Sequence, residues 1–330
     1  MKSIKEIRLI AATAAALLLL AGCEKESNNT VENGPVAARI HTVIDPMTSG
    51  PGSSGGSGTD GTPNTRAAGT AWTKNDAIGI TATHTDGTKL LNNACYLTPN
   101  GDGKFEAEDG SVLYFTDNSE VDFTAYYPWT APDELENGII NNLELTDAAN
   151  QTPENQPKID FLFATAKGSA ANADVRLQFR HCMSRLVLNF KPGEGIVALD
   201  DIKYSLYGME LGGTFNTLTG EAKSAGQFSA ISPLTLTVPG SNAAELSSPL
   251  ILFPQQSDGP RTLLLTMRGT KYTAMYQLPQ NPQNNNVRGL FAGHSYTYNV
   301  KINNTTMTIS PATINPWEDG GSEDIDSTTN

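Results

Sequence analysis

Val121-Asp122-Phe123-Thr124-Ala125-Tyr126-Tyr127 sets Val121, Phe123, Ala125 and Tyr127 on one side of an extended chain and Asp122, Thr124 and Tyr126 on the other, and Pro128 ends the run. Successive strand side chains point to opposite faces, so this pattern buries one face of an antiparallel sheet and wets the other. The same alternation recurs in Val175, Leu177, Phe179 and His181, in Leu234, Leu236 and Val238, and in Tyr296, Tyr298, Val300 and Ile302. Turn clusters such as Pro99-Asn100-Gly101-Asp102-Gly103 and Gly212-Gly213 stand between the runs. No stretch sustains a 3.6-residue period, and residues 133–145 have room for one short helical turn. From Trp72 onward the pattern therefore predicts an all-β chain of antiparallel β-sandwiches. About 300 mature residues exceed what one core usually serves, so two units are expected. The small, polar stretch 166–173 sets their boundary, with an N-terminal sandwich over 67–172 and a C-terminal one over 173–330.

The N-terminus is of another kind. Lys2, Lys5 and Arg8 precede a run over residues 10–21 that is apolar except for Thr13, and Leu20-Ala21-Gly22-Cys23 ends it. This is a secretory signal (residues 1–22) with a lipoprotein box. The run falls well short of the ~20 residues a spanning helix needs. Removal of the signal leaves Cys23 as the lipid-bearing first residue of an exported, membrane-tethered chain. Residues 24–35 read as a polar tether, 36–45 as one short strand, and 46–70 as a Gly/Ser/Pro/Thr linker with too little apolar area to offset its ordering entropy. A lone strand thus stands apart from the main body.

The signal carries three basic residues and one acidic one, so its loss takes the net charge from −13 to −15. An acidic surface of that size argues against nucleic acid or anionic lipid as a partner. With Cys23 taken by lipid, Cys95 and Cys182 remain, either as one disulfide or as free thiols.

Signals for chemistry are poor. Gly52-Ser53-Ser54-Gly55-Gly56 fits the pattern of a nucleophile elbow but lacks the strand and helix that motif requires. Asn100-Gly101-Asp102-Gly103-Lys104 faintly resembles a calcium loop, lacks its ligand pattern, and reads as a hairpin turn. His41, His84, His181 and His294 have no metal-ligand spacing, and His181 reads as a half-buried, satisfied strand residue. The scattered carboxylates read as solvated faces rather than a glycosidase pair. No catalytic residue, metal site or cofactor is expected, and the chain is read as non-enzymatic. Tyr127 reads as core and Pro128 as the end of the strand; the competing reading takes Tyr126, Tyr127, Pro128 and Trp129 as an aromatic sugar platform on a surface lipoprotein that binds carbohydrate without polymerising.

Several stretches taken in order resemble the fimbrillin family of type V pilus subunits. These are Trp72-Thr73-Lys74-Asn75-Asp76-Ala77-Ile78-Gly79-Ile80, then Val121 through Pro128, and then Phe179-Arg180-His181-Cys182-Met183-Ser184-Arg185-Leu186. Gly293-His294-Ser295-Tyr296-Thr297-Tyr298-Asn299-Val300 and Ile314-Asn315-Pro316-Trp317 complete the set. The resemblance implies two tandem transthyretin-like β-sandwiches in a lipoprotein displayed on the outer membrane of a Gram-negative cell, adhesive or structural in a fimbria. It further implies that a trypsin-like protease cuts after an arginine and removes the first strand, and that a neighbour's strand fills the groove. Head-to-tail filling does not close on itself and builds a filament. Arg66 is then the expected cleavage site, with Arg39 the alternative. The C-terminal segment carrying Met307, Ile309, Ile314 and Trp317 is the donor candidate. The implied partners are other fimbrial subunits, in a homo- or hetero-polymer, the outer membrane through the lipid, and a host or bacterial surface ligand.

Overall fold

A computed structural model describes residues 34–44, 71–110, 112–226, 233–281 and 284–316. The strands are β1 (Arg39–Ile44), β2 (Asp76–His84), β3 (Lys89–Thr98), β4 (Lys104–Ala107), β5 (Val121–Tyr127), β6 (Ile139–Glu144), β7 (Leu162–Gly168) and β8 (Asp174–His181), those at 39–44, 121–127 and 174–181 falling where the sequence predicted them. They continue through β9 (Ser184–Pro192), β10 (Ile202–Tyr207), β11 (Gly212–Asn216), β12 (Leu234–Val238), β13 (Leu246–Leu252), β14 (Arg261–Met267), β15 (Thr270–Tyr276), β16 (His294–Ile302), β17 (Met307–Ile309) and β18 (Thr313–Pro316). The region suited to a helical turn has a 3-10 turn at Pro132–Glu134 and is mostly extended beyond it, with β6 over Ile139–Glu144. The chain is all-β, as its alternation requires.

Seven strands close a barrel in the order β7-β8-β1-β4-β3-β2-β5. Beyond it lie a sheet β13-β9-β16-β17, with β18 also on β16, and a four-stranded sheet β12-β10-β14-β15. Most ladders are antiparallel, but β1 runs parallel to β8 and β9 runs parallel to β16. Parallel neighbours cannot be joined by a tight turn; β1 and β8 meet across 135 positions of sequence. A period-two pattern reports which face is buried and is blind to the direction of the neighbouring strand.

Two apolar clusters result. In the barrel, Trp72 lies edge-on to Phe105, Tyr127 and Phe179 with ring centroids 5.1, 5.4 and 5.2 Å away. Such T-shaped contacts suit the ring quadrupoles. Ile40, Ile44, Ile78, Ile80, Phe123 and Val175 complete that cluster. The second gathers Leu186, Phe190, Tyr204, Leu252, Leu265, Tyr296, Tyr298 and Val300 between the two open sheets.

The division between clusters does not follow the expected boundary. β8, assigned by sequence to the second sandwich, is a barrel strand, because Val175, Leu177 and Phe179 face the Trp72 cluster. Conversely Ile140, Leu145, Ile159 and Phe161 join the second cluster, and β6 pairs with β11. Within that cluster Phe161 stacks on Phe215 at 4.5 Å.

Gly212-Gly213, expected as a turn, begins β11 instead. A Cβ on Gly213 would sit 2.4 Å from the Lys223 carbonyl oxygen and 2.8 Å from the Phe253 ring. The ladder shifts register there, so this glycine serves a bulge and a close approach of backbone.

Candidate strand exchange site

β1 is rich in β-branched residues and alternates cleanly. Ile40, Thr42 and Ile44 are buried, while Arg39, His41 and Val43 face outward. It is hydrogen-bonded on both sides, parallel to β8 from Arg39↔Asp174 to Phe179↔Ile44 and antiparallel to β4 at Ile40↔Phe105 and His41↔Lys104. The Arg39 amide donates to the Ala173 carbonyl at 2.8 Å and the Thr42 amide to the Gly103 carbonyl at 2.8 Å. Just upstream, the Ala38 amide donates to the Leu113 carbonyl at 2.8 Å. An internal strand of this kind leaves, if withdrawn, two unpaired backbone edges above an apolar floor.

Two features set the register of β1. Gly103 has φ of +78°, and a Cβ there would lie 2.5 Å from the Thr42 carbonyl oxygen. Only glycine allows the β3–β4 hairpin to approach β1 so closely. On the outer face, Arg39 Nε donates to Asp174 Oδ1 at 2.6 Å, and His41 Nε2 lies 3.7 Å from the same carboxylate. The hydrogen bond from Arg39 holds the Asp174 carboxyl below its usual range and raises Arg39 in turn. This pair is exposed, so it contributes register more than stability.

The C-terminal candidate is built differently. β17 and β18 both lie antiparallel on one side of β16, with Ile302↔Met307 at one end and Thr297↔Thr313 further along. Between them the Ser310 amide donates to the Asn299 carbonyl at 3.0 Å, and Ser310 Oγ accepts from the Asn299 amide at 3.1 Å. Met307 is buried, and Ile309 and Ile314 pack half-buried against the second cluster. Met307, Ile309 and Ile314 are thus brought together, on an open sheet edge and away from the β1 slot. Cys23, Arg66 and Trp317 lie outside the described residues.

Tyr126 is buried, its hydroxyl donating to Asn93 Oδ1 at 2.8 Å and accepting from the Thr130 amide at 3.1 Å. Burial removes it as a stacking surface for sugar. Trp129 is half-buried, its Nε1 donating to the Asn93 carbonyl at 3.3 Å. His181 is fully buried rather than half-buried, with Nδ1 3.1 Å from Asp160 Oδ1. Burial of Asp160 pushes its carboxyl upward. Cys95 and Cys182 are free thiols, and burial pushes Cys182 up to about 12. Among the described residues no group of three or more His, Cys, Asp or Glu could hold a metal. Sequence reasoning missed Gly103, Asp174 and Asp160, since each acts through a partner far along the chain; the turn signal at 99–103 was the one visible hint.

A slot-filling first strand set apart from an all-β body is the arrangement the family resemblance implies. A family model described as fimbrillin-like matches residues 65–317. The chain belongs to the fimbrillin-like family. It is 27% identical over 315 residues to a Bacteroides uniformis protein named "Putative fimbrium subunit Fim1C", covering 92% of this chain and 93% of that one. The crystal structure of a "putative cell adhesion protein" from Bacteroides ovatus superposes with a TM-score of 0.68 at 26% identity, covering 87% of this chain and 99% of the other. Another of the same description from Bacteroides uniformis gives a TM-score of 0.62 at 21% identity, covering 87% and 100%. It shares the fold.

Proposed function

We propose that this fimbrillin-like chain is a structural or adhesive subunit of a cell-surface fimbria, non-enzymatic, that assembles by exchanging its first strand for one from another subunit. The observation that carries this reading is the position of β1. It is an internal barrel strand with ladders on both sides, yet it precedes the family-matched region, which begins at residue 65. A body that leaves one of its own ladder positions to a separate segment can trade that segment for an equivalent one.

In this reading the signal is removed, Cys23 carries acyl chains such as palmitate, and the precursor is held at the outer membrane. Cleavage after Arg66 frees β1. Arg39 is the poorer site, because its backbone is ladder-bound and its side chain is paired with Asp174, whereas proteases need an extended, accessible chain. The two apolar clusters support two packed units, divided near the end of β8 rather than at residue 172. Until cleavage, tethering through residues 45–70 keeps β1 at high effective concentration beside its own slot, so the uncut chain is expected to be monomeric. The carbohydrate-binding alternative loses one of its two aromatic faces with the burial of Tyr126.

Limited trypsin digestion of the purified full chain tests this directly. A discrete product beginning at Ala67 is expected, followed on dissociation of β1 by heterologous strand capture that size-exclusion chromatography reads as larger species when other subunits are added. Survival of intact chain under digestion, or a product that refuses every added strand, would defeat the proposal. N-terminal sequencing of protein recovered from cells would then separate acylated Cys23 from Ala67.

A further inference from the structure

Independently of the strand-exchange reading, we infer that buried glutamine side chains seal the outer edge of β13 against strand addition, and that what they exclude is the same edge of a second copy of this chain. Among the described residues β13 pairs with β9 alone and ends its sheet. Its last residues, Leu250, Ile251 and Leu252, and Phe253 after them are all buried. An uncharged run that is apolar on both faces, with one ladder side open, is the kind of strand that associates edge to edge. Antiparallel pairing of two such edges about Ile251 is self-complementary and closes as a dimer.

The ladder groups on that side are nevertheless taken. In an antiparallel ladder alternate residues turn their backbone groups to the same side, so Pro249, Ile251 and Phe253 form one row. The Ile251 amide donates to Gln151 Oε1 at 2.9 Å, and Gln151 Nε2 donates back to the Ile251 carbonyl at 2.9 Å. Gln156 Nε2 donates to the Pro249 carbonyl at 2.7 Å and to the Gln151 carbonyl at 3.2 Å. Pro249 has no amide hydrogen to offer, and sheets accept proline where the missing donor faces outward. Gln255 Nε2 donates to the Phe253 carbonyl at 3.2 Å. All three glutamines are buried. A carboxamide carries a carbonyl acceptor and N–H donors, as a peptide unit does, so Gln151 stands where one residue of a neighbouring strand would stand. Gln151 and Gln156 are held there by the 3-10 turns Ala148–Gln151 and Gln156–Lys158, the first capped by Asp147 Oδ1, which accepts from the Ala149 amide at 2.9 Å. Burying a carboxamide costs desolvation that an apolar cover would not. What it supplies instead is a partner for an open edge that cannot itself be extended, because a side chain has no further backbone to pair. The sheet therefore stops at β13.

The test uses the full, uncut chain and a double variant, Gln151→Met with Gln156→Met, which keeps side-chain length and removes both carboxamides. In dilute solution, hydrogen exchange at the Ile251 amide should quicken at least about 10-fold, the scale of one lost hydrogen bond. Size-exclusion chromatography with light scattering should show the unsubstituted chain monomeric and the double variant passing into dimers as its concentration rises. Protection of the Ile251 amide should return in step with the dimer, since the partner's edge then accepts from it. A folded double variant that stays monomeric while the Ile251 amide exchanges fast overturns the inference, and the carboxamides then serve stability alone. So does an Ile251 amide that never quickens, or association that leaves it exchanging fast. Where the double variant fails to fold, Gln151→Met alone, with Gln156 still holding the second turn, is read against the same outcomes. None of these touches exchange of β1, which digestion at Arg66 tests separately.

Discussion

The two ends of the described chain carry strands of nearly the same sequence character and opposite structural standing. β1 at the front and β17–β18 at the back are short, alternating and rich in Thr and Ile. β1 has neighbours on both sides and buries Ile40 and Ile44 to 3% exposure each. β17 and β18 have β16 on one side, and Ile309 and Ile314 remain half-buried. The first is a keystone of a closed barrel, the second a cover on an open edge. Position in the sheet, rather than composition, therefore decides what each strand costs to remove.

The contrast can be broken most forcefully at Gly103. A Gly103→Val substitution puts side-chain carbon where the Thr42 carbonyl lies and imposes a positive φ on a β-branched residue; a loss of more than about 3 kcal/mol is expected, read by urea denaturation. An unchanged midpoint would mean that β1 is not tightly seated. Next in size, Ile40→Ala and Ile44→Ala should each cost about 2–5 kcal/mol, as full truncations in a packed core do. Ile309→Ala and Ile314→Ala should cost only about 1 kcal/mol, since less area is lost. Equal costs at the two ends would erase the comparison.

Amide hydrogen exchange sharpens it further. The Thr42 amide, held inside the barrel at 2.8 Å from its acceptor, should exchange near the global unfolding limit in the uncut chain. The amides of β17 and β18 should exchange faster through local opening of the edge. Reversed protection would place the weak strand at the wrong end.

The smallest effect concerns pH. The Asp174 carboxyl is held low by Arg39, so its contribution to seating β1 is complete above the ordinary carboxylate pKa of about 3.9 and is lost as pH falls through the lower folded value. Peptide 36–44 should consequently leave the cut protein somewhat faster in acid and in high salt. Asp174→Asn should remove that pH dependence while leaving the affinity near neutrality almost unchanged.

Much of the fold was legible locally. The alternation at Val121–Tyr127 and at 175–181 located strands whose inward residues are the ones the structure buries, and the isolated stretch at 36–45 yielded a real strand. The boundary at 166–173 was less informative, because small polar residues mark a turn between β7 and β8 without saying that both strands serve one barrel. Gly212-Gly213 misled for a related reason. Glycine reads as a turn by local propensity, whereas here it admits Phe253 and the Lys223 backbone from elsewhere. Tyr126 was assigned to the wetted face, since period two cannot foresee a second cluster packed against the outside of the barrel.

By itself, the order of residues determined that the chain is built of strands, which side chains face inward, and that a lone strand precedes a Gly/Ser-rich stretch. Those properties depend on the nearest few residues, through side-chain alternation and backbone preference. Which strands are neighbours, in which direction, and whether a terminal strand has one neighbour or two were decided by the tertiary structure alone. Backbone amides and carbonyls are the same in every residue, so pairing is chosen by contacts such as Arg39 with Asp174 and Thr42 with Gly103 that join distant parts of the chain.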